Sequence, residues 1–340
     1  MPMRFAIASR PVVSQRLWTF AKIAISLGVL IFLLTRLNRA DLIERMASAQ
    51  PLWLGLALAL YFLAIFLGVL KWYLLVRAQR FAISYWDLAT FTFTGLFLGN
   101  VLPTNIGGDV VRAAMLAQAG RGTTEAAAIS VVVDRLVGLA AFFGVTLISA
   151  GLAVGLLTRS TELEAIQTAT LIIAAIFAVG GALFFSRRAA RQLAHIFEIG
   201  WFARFKPYAL RLYHAIQVYR FNYATLAANI ALSTSILVVA TLVWYSVACA
   251  LDLQISLIYF FLFNPLIAFV LLLPISFNGL GPKEATAVFF FGLIGVPSEA
   301  AFALSLLFHA IVVLTSLPGG IFVARPRAHR LTDELERPRE

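Results

Sequence analysis

Six charged side chains lie within or beside long apolar stretches of the chain, at Asp109, Arg112, Asp134, Arg135, Lys283 and Glu284. A charge at the centre of a membrane helix costs roughly 2.5–3.5 kcal/mol, so its presence there needs a partner or a function. Gly107 and Gly108 precede Asp109, and free N–H groups at a helix start favour an anion such as a lipid phosphate. Arg112 shares the helical face of Asp109 and can pair with it while reaching a phosphate. The pattern predicts a binding site for a lipid head group.

Each of these charges also has a purely structural interpretation. Asp109 and Arg112 form a self-contained i,i+3 ion pair in the first turn of a helix. Asp134 and Arg135 lie well inside an apolar segment. Because adjacent residues point about 100° apart on a helix, at least one of these two must face the interior of a helical bundle. Both interpretations, a site or a set of mutually satisfied charges, stay open at the level of sequence.

Four further polar side chains are less specific. Glu125 and Glu299 each follow a Thr or Ser in an N-cap position, where an acid complements the helix dipole. His309 is expected to be a satisfied core histidine, with a role in the site as the alternative. Lys71 lies near a helix end, and we expect its long side chain to snorkel toward the membrane interface.

The elements that hold these residues are membrane helices. The 340 residues are 61% hydrophobic and 13% charged, with a mean hydropathy of +0.90, whereas a soluble domain has roughly 25% charged residues. Crossing a hydrocarbon core of roughly 30 Å takes about 20 apolar helical residues. The blocks that meet this requirement are residues 17–34, 51–76, 129–157, 168–185, 226–251 and 300–323. We therefore predict an all-α polytopic membrane protein with about six full transmembrane helices in one transmembrane domain.

The distribution of positive charge predicts the topology. The formal net charge of +11 is concentrated in alternate loops, which fits the positive-inside rule rather than nucleic-acid binding. Both termini and the basic, aromatic segment 186–223 are expected in the cytoplasm. That segment is either an interfacial stretch against anionic lipid or an ordinary positive loop. The first apolar run has no small-residue cleavage site after it and is expected to be an uncleaved span. Cys249 is the only cysteine, so an intrachain disulfide is excluded.

Two apolar regions do not fit simple spans. The first, starting near residue 86, is interrupted by residues 103–109 (PTNIGGD), and the second, starting near residue 256, by residues 274–284 (PISFNGLGPKE). Proline removes a backbone donor and glycine weakens a helix, so both interruptions are encoded locally. Irregular backbone at membrane depth is tolerated only inside protein or beside a water-filled cavity. We therefore predict two re-entrant or broken helical hairpins.

The two interrupted regions resemble each other. A Leu-Pro pair begins each break, a Glu-Ala-Ala sequence follows each hairpin, and ten residues after each Glu comes a polar side chain, Arg135 or His309. Three crossings separate the two copies, and an odd number inverts them, so the first hairpin enters from the cytoplasm and the second from outside. We predict an inverted repeat, about residues 51–157 and 225–323. Inverted repeats with broken helices near the midplane are typical of secondary transporters.

Three motifs give the chain a family resemblance: residues 102–112 (LPTNIGGDVVR), 131–136 (VVVDRL) and 274–284 (PISFNGLGPKE). Over about residues 17–323 the chain resembles the transmembrane region of lysylphosphatidylglycerol synthases, a family of flippase-like membrane proteins. The second motif commonly has Arg before its Glu in that family, whereas this chain has Lys283, which keeps a phosphate-binding charge but not bidentate geometry. The resemblance implies lipid translocation. The soluble domain that carries out aminoacyl transfer in bifunctional members has no counterpart in these residues, so we do not expect that activity.

These observations favour a lipid flippase or transporter of the bacterial inner membrane that is not an enzyme. The alternatives are a membrane-embedded lipid-modifying enzyme and a non-catalytic partner of a lipid pathway. No ATP-binding or metal motif is found, so no cofactor is expected. The expected partners are membrane lipids, either an anionic phospholipid or a polyprenyl or glycolipid substrate, and a second copy or a biosynthetic enzyme as a further option. The candidate site residues are Asn105, Gly107, Gly108, Asp109, Arg112, Asp134, Arg135, Asn278, Gly279, Gly281, Lys283 and Glu284, with Glu125, Glu299 and His309 as additional candidates.

Overall fold

The computed structural model describes residues 12–101, 107–119, 123–156, 223–272 and 279–324, together with positions 175 and 276. Within these ranges the regular structure is entirely α-helical, as predicted. The helices in chain order are α1 (Val12–Arg36), α2 (Arg39–Ala47), α3 (Pro51–Ala78), α4 (Tyr85–Val101), α5 (Gly107–Ala119), α6 (Thr124–Leu156), α7 (Tyr223–Ala250), α8 (Leu257–Leu272), α9 (Pro282–Gly292), α10 (Ser298–Ser316) and α11 (Pro318–Val323).

Three helical segments of the described chain are long and apolar enough to cross a membrane: α3, α7, and α10 continued by α11. A fourth arises if α1, from Phe20, and α2 form one span bent by 99°. The predicted span at 129–157 coincides with α6 as far as Leu156, and the predicted span at 168–185 lies outside the described residues apart from position 175. The number of six full spans therefore stays a prediction.

Local sequence explains where several helices begin. Proline occupies the first turn of α3, α9 and α11, where its missing N–H would have no intrahelical partner. The side chain of Asn38 caps α2 by accepting hydrogen bonds from the N–H groups of Ala40 and Asp41. The prolines and the capping Asn lie at the ends of apolar segments, so local sequence determines where these helices begin.

Helices α3 and α7 form an antiparallel pair in the middle of the fold. Both are 28 residues long. The N–H of Gln50, just before α3, donates to the carbonyl of Ala250 at the end of α7 at 2.9 Å. At the opposite end, Leu75 belongs to a cluster that Ala78 and Leu226 pack against. The two helices therefore run side by side in opposite directions over their whole lengths.

Helix α5 folds back along α4 to form the first hairpin. The contact is so close that a Cβ built on Gly95 would lie 2.6 Å from the carbonyl oxygen of Gly108, so small residues are required on both helices. Leu88, near the start of α4, and Leu116, near the end of α5, belong to one buried apolar cluster. The hairpin thus begins and ends at one end of the bundle, the end where α3 finishes.

Helices α8 and α9 form the second hairpin. The ring centroids of Phe263 and Phe290 lie 5.5 Å apart, and those of Phe260 and Phe291 5.3 Å apart, so the end of α9 returns to the first half of α8. These rings belong to the largest apolar cluster of the described chain, which also contains Trp244. Each predicted interruption therefore separates two helices that pack against each other.

Candidate functional site

Five charged side chains from α3, α5 and α6 form an alternating series. Lys71 Nζ lies 3.0 Å from Asp134 Oδ1 and also donates to the Asp134 carbonyl at 3.0 Å. Asp134 Oδ2 accepts from Arg112 Nη2 at 3.1 Å, and Arg112 Nε lies 3.0 Å from Asp109 Oδ1. Arg135 then holds both Asp109 oxygens, with Nε 2.7 Å from Oδ2 and Nη2 3.1 Å from Oδ1. The expected pair of Asp109 and Arg112 is present, but as one link of a longer series.

The series is buried at one end and open at the other. The side chains of Lys71 and Asp134 are only 10% and 8% exposed, whereas that of Arg135 is 63% exposed. Three cations against two carboxylates leave one net positive charge. Every carboxylate oxygen of Asp109 and Asp134 already lies within 3.1 Å of a cationic nitrogen. Arg135, in contrast, keeps further N–H donors on its exposed side chain.

Aromatic and hydroxyl groups fix the middle of the series. The guanidinium of Arg112 lies over the ring of Trp72, 5.0 Å from its centroid. Trp72 Nε1 donates to Ser130 Oγ at 3.1 Å, and Ser130 Oγ donates to the carbonyl of Ala127 at 2.7 Å. Arg112 is therefore held on one side by carboxylates and on the other by an indole whose own donor is satisfied.

The expectation that Lys71 snorkels to the interface is wrong. Its side chain points into the bundle and pairs with Asp134. Gly138 makes room for it, because a Cβ at that position would lie 3.2 Å from Lys71 Nζ. The missed signal was the position of the lysine within α3, seven residues before the last residue of the helix. A lysine at that depth needs an acid on a neighbouring helix, and Asp134 is one of the two charges of which the sequence places at least one in the bundle interior.

A cavity of about 480 Å³ lies beside the five-charge series. Its wall includes Asp109, Arg112, Asp134, Arg135 and Lys71, together with Gly108 and Asn100 of the first hairpin. Gly279, from the second interrupted region, also lines it. The two interrupted regions, far apart in sequence, thus meet at one cavity.

A second charged cluster lies at the start of α9. Lys283 Nζ is 3.2 Å from Glu284 Oε1 and 3.0 Å from His309 Nδ1 on α10. Glu284 Oε1 also accepts from Ser305 Oγ at 3.4 Å, and its Oε2 accepts from the backbone N–H of Gly281 at 2.7 Å. The side chains of Lys283 and Glu284 are 3% and 0% exposed. This cluster is neutral overall and satisfies its own carboxylate.

Gly281 allows this cluster to form. Its φ of 88° lies in the region that favours glycine, and a Cβ there would meet the carbonyl oxygen of Ser26 on α1 at 2.8 Å. Helix α1 therefore packs directly on the second interrupted region. Gly279 has the same conformational requirement, with φ 75°.

The remaining candidates separate into several groups. Glu299 accepts the backbone N–H of Asn38 at 3.0 Å, so it joins α10 to the turn before α2 and lies away from both clusters. Glu125 is exposed in the first turn of α6. Gly107 begins α5 beside Gly108. Asn105 and Asn278 lie outside the described residues.

Each of the two clusters contains a contact between residues that are the same number of positions apart in the sequence. Asp109 bonds to Arg135 and Lys283 contacts His309, and each pair is separated by 26 residues. Lys283 follows Asp109, and His309 follows Arg135, by the same interval of 174 residues. In both cases the second helix of a hairpin is tied to the long helix that follows it.

A second cavity, of about 380 Å³, joins the two clusters. Lys71, Lys283 and His309 line it, while most of its wall is apolar, including Trp244 and Phe308. Lys71, Ile236 and Val312 line both this cavity and the first one. The two cavities therefore adjoin each other.

Comparison with known proteins gives one family. The model of the lysylphosphatidylglycerol synthase TM region matches residues 19–319. This range includes both hairpins, both charged clusters and the helices that carry them. No curated protein matches the chain.

Proposed function

The chain belongs to the family of the lysylphosphatidylglycerol synthase transmembrane region, and on that basis we propose that it moves a polar-headed lipid across the bacterial inner membrane. The observation that carries the proposal is the five-charge series at a cavity beside α5, where an exposed arginine and a buried lysine flank two fully engaged carboxylates. Charges at this depth are costly, so they are retained for a polar group that must enter the membrane.

The charge balance favours an anionic head group. The series carries one net positive charge, and Arg135 keeps unused N–H donors on an exposed side chain. A phosphate presents oxygen acceptors to such donors. A cationic head group would instead need a free carboxylate oxygen, and those of Asp109, Asp134 and Glu284 are engaged by other groups.

The mechanism we propose is alternating access through an inverted repeat. Its support is that α3 and α7, equal in length, lie antiparallel. The first hairpin returns to the end where α3 finishes and α6 begins, since Ile129 packs with Leu75. The second returns to the end where α7 finishes and α10 begins, since Leu251 packs on a cluster containing Phe302. Each hairpin then enters from a different face, with both termini in the cytoplasm.

The lipid would bind with its head group at the cavity and its acyl chains in the surrounding membrane. Arg135 and Arg112 would contact the phosphate, and Lys71 would hold Asp134 in place behind them. We propose translocation rather than catalysis as the activity, with the whole chain acting as one transmembrane domain. A lipid-modifying enzyme is the competing function and would use a buried carboxylate as its base.

Reconstitution tests the proposal. The purified chain is placed in liposomes that contain fluorescent phosphatidylglycerol, and lipid exposed in the outer leaflet is quenched with dithionite. Quenching beyond the outer-leaflet fraction, lost in Asp109→Asn with folding retained, supports translocation. Chemical turnover of the lipid without movement between leaflets would instead identify an enzyme.

A further inference from the structure

Lys71 and Lys283 line a cavity that adjoins the outer, Arg135-lined cavity but has a different wall. It holds about 380 Å³ and is reached by two buried ammonium groups from different halves of the chain. We propose that it is an inner binding station for the anionic oxygen atoms of the head group, which the lipid occupies after leaving Arg135. This inference rests on the proposed lipid translocation for its place in a cycle, but the anion site itself does not.

Both lysines have a donor left for a ligand. An ammonium group has three N–H donors. Lys71 donates one to the carbonyl of Asp134 and lies 3.0 Å from its carboxylate Oδ1, and Lys283 contacts Glu284 and His309 in the same way, at 3.2 and 3.0 Å. Among the described residues, one donor of each lysine thus lacks a protein partner.

A hydroxyl group adds a third donor. Ser233 on α7 lines the cavity and is only 7% exposed, and its Oγ has no hydrogen-bond partner within the described part of the chain. A buried hydroxyl without a partner costs free energy. An oxyanion held by Lys71, Lys283 and Ser233 would supply the missing acceptor.

The carboxylate groups that would attract a cation are already paired with cationic side chains. The carboxylates nearest the cavity, Asp134 and Glu284, bind the two lysines. The remaining wall is largely apolar, which strengthens any charge interaction inside it. The site is therefore suited to a phosphate oxygen rather than to an ammonium group.

The inner cavity adjoins the outer cavity, so a head group could pass from one to the other. Lys71 lines both cavities, and the side chains of Ile236 and Val312 lie between them. Asp109 and Arg135 come from the first half of the chain and Lys283 and His309 from the second, at the same 26-residue spacing. The head group would pass from a station of one half to a station of the other.

Charge-selective thiol labelling tests this site directly. Ser233→Cys is introduced into full-length Cys249→Ser protein in phosphatidylcholine liposomes, with Ile236→Cys as a second reporter. Modification rates are measured for an anionic methanethiosulfonate, the sulfonatoethyl reagent, and a cationic one, the trimethylammonioethyl reagent. Both are normalised to a free thiol in solution. We expect the anionic reagent to be favoured by about tenfold, as in a positively charged cleft.

Three comparisons decide the result. Lys71→Met, or Lys283→Met combined with Glu284→Gln, should remove most of the preference, and dihexanoyl phosphatidylglycerol should slow labelling. Equal normalised rates for the two reagents, or no labelling at either reporter, would overturn the inner station. Wild-type protein that moves no lipid while the charge preference persists would refute the translocation function and leave the anion site standing.

Discussion

Arg135 holds both carboxylate oxygens of Asp109, at 2.7 and 3.1 Å, although 63% of its side chain stays exposed. An arginine tied down on one edge and open on the other is oriented before a ligand arrives. The geometry reduces the entropy lost when a phosphate binds to the remaining N–H groups.

Replacing Arg135 should reduce transport far more than stability. In Arg135→Gln, we expect translocation of anionic lipid to fall by about tenfold or more, because a charge-assisted hydrogen bond contributes roughly 1.5–3 kcal/mol. Arg135→Lys keeps the charge but not the bidentate geometry of the guanidinium, so its translocation rate should be intermediate between those of the wild type and Arg135→Gln. Because the side chain is largely exposed, melting temperatures should change little. A translocation rate in Arg135→Gln equal to that of the wild type would mean that the head group does not bind at Arg135.

Replacing Asp134, in contrast, should lower the stability of the protein strongly. Asp134→Asn leaves Lys71 and Arg112 buried without their shared carboxylate, which we expect to destabilise the protein by about 3–5 kcal/mol. Adding Lys71→Met should recover part of that loss. The control is Asp41→Asn, which breaks the half-exposed pair with Arg45 on α2 and should cost about 1 kcal/mol or less. Thermal unfolding in detergent measures both; equal effects would mean that the buried series does not stabilise the fold.

The glycine contact in the first hairpin should be intolerant of a methyl group. Gly95→Ala places a Cβ against the carbonyl of Gly108, and we expect a loss of about 1–3 kcal/mol as the helices separate. Gly55→Ala on α3 is the matched control, since no atom lies within 4 Å of its built Cβ. Unfolding in detergent would show whether only the first substitution is harmful. A neutral Gly95→Ala would show that α4 and α5 can separate at no cost.

The antiparallel pair predicts opposite exposure of two turns. Single cysteines at Ala82, before α4, and at Gln254, before α8, are placed in Cys249→Ser protein. A membrane-impermeant maleimide added to intact cells should label Gln254→Cys only, and Ala82→Cys should react only after the membrane is opened. Labelling of both from the same side would rule out the inverted repeat.

The engaged carboxylates predict selectivity for head-group charge. Dihexanoyl phosphatidylglycerol should bind the detergent-solubilised protein more tightly than the same lipid esterified with lysine. We expect a difference of about tenfold, because the site already carries a net positive charge. Binding can be measured by calorimetry. Tighter binding of the lysyl form would point to a carboxylate, rather than Arg135, as the primary contact.

The sequence predicted local relationships better than distant ones. The pair of Asp109 and Arg112 follows from helical spacing, and the two hairpins follow from Pro and Gly in apolar segments. The link from Arg112 to Asp134 depends on how α5 packs against α6, which no local pattern encodes. The expectation for Lys71 is wrong because its depth within α3, seven residues before the helix ends, places it beside Asp134 and not at the membrane interface. Arg135 and His309, in contrast, each come ten residues after a Glu in the sequence, and each contacts a residue 26 positions before it.

The charged side chains of the Lys71–Arg135 series would not cross the membrane with the lipid, and this has an electrical consequence. These charges are fixed to helices, so a singly anionic head group that crosses would carry its own charge through the membrane voltage without a protein charge travelling beside it. With the cell interior negative, each 100 mV would favour outward movement by about 2.3 kcal/mol. The transport we propose would thus be electrogenic, driven outward by the resting potential and opposed by it in the inward direction.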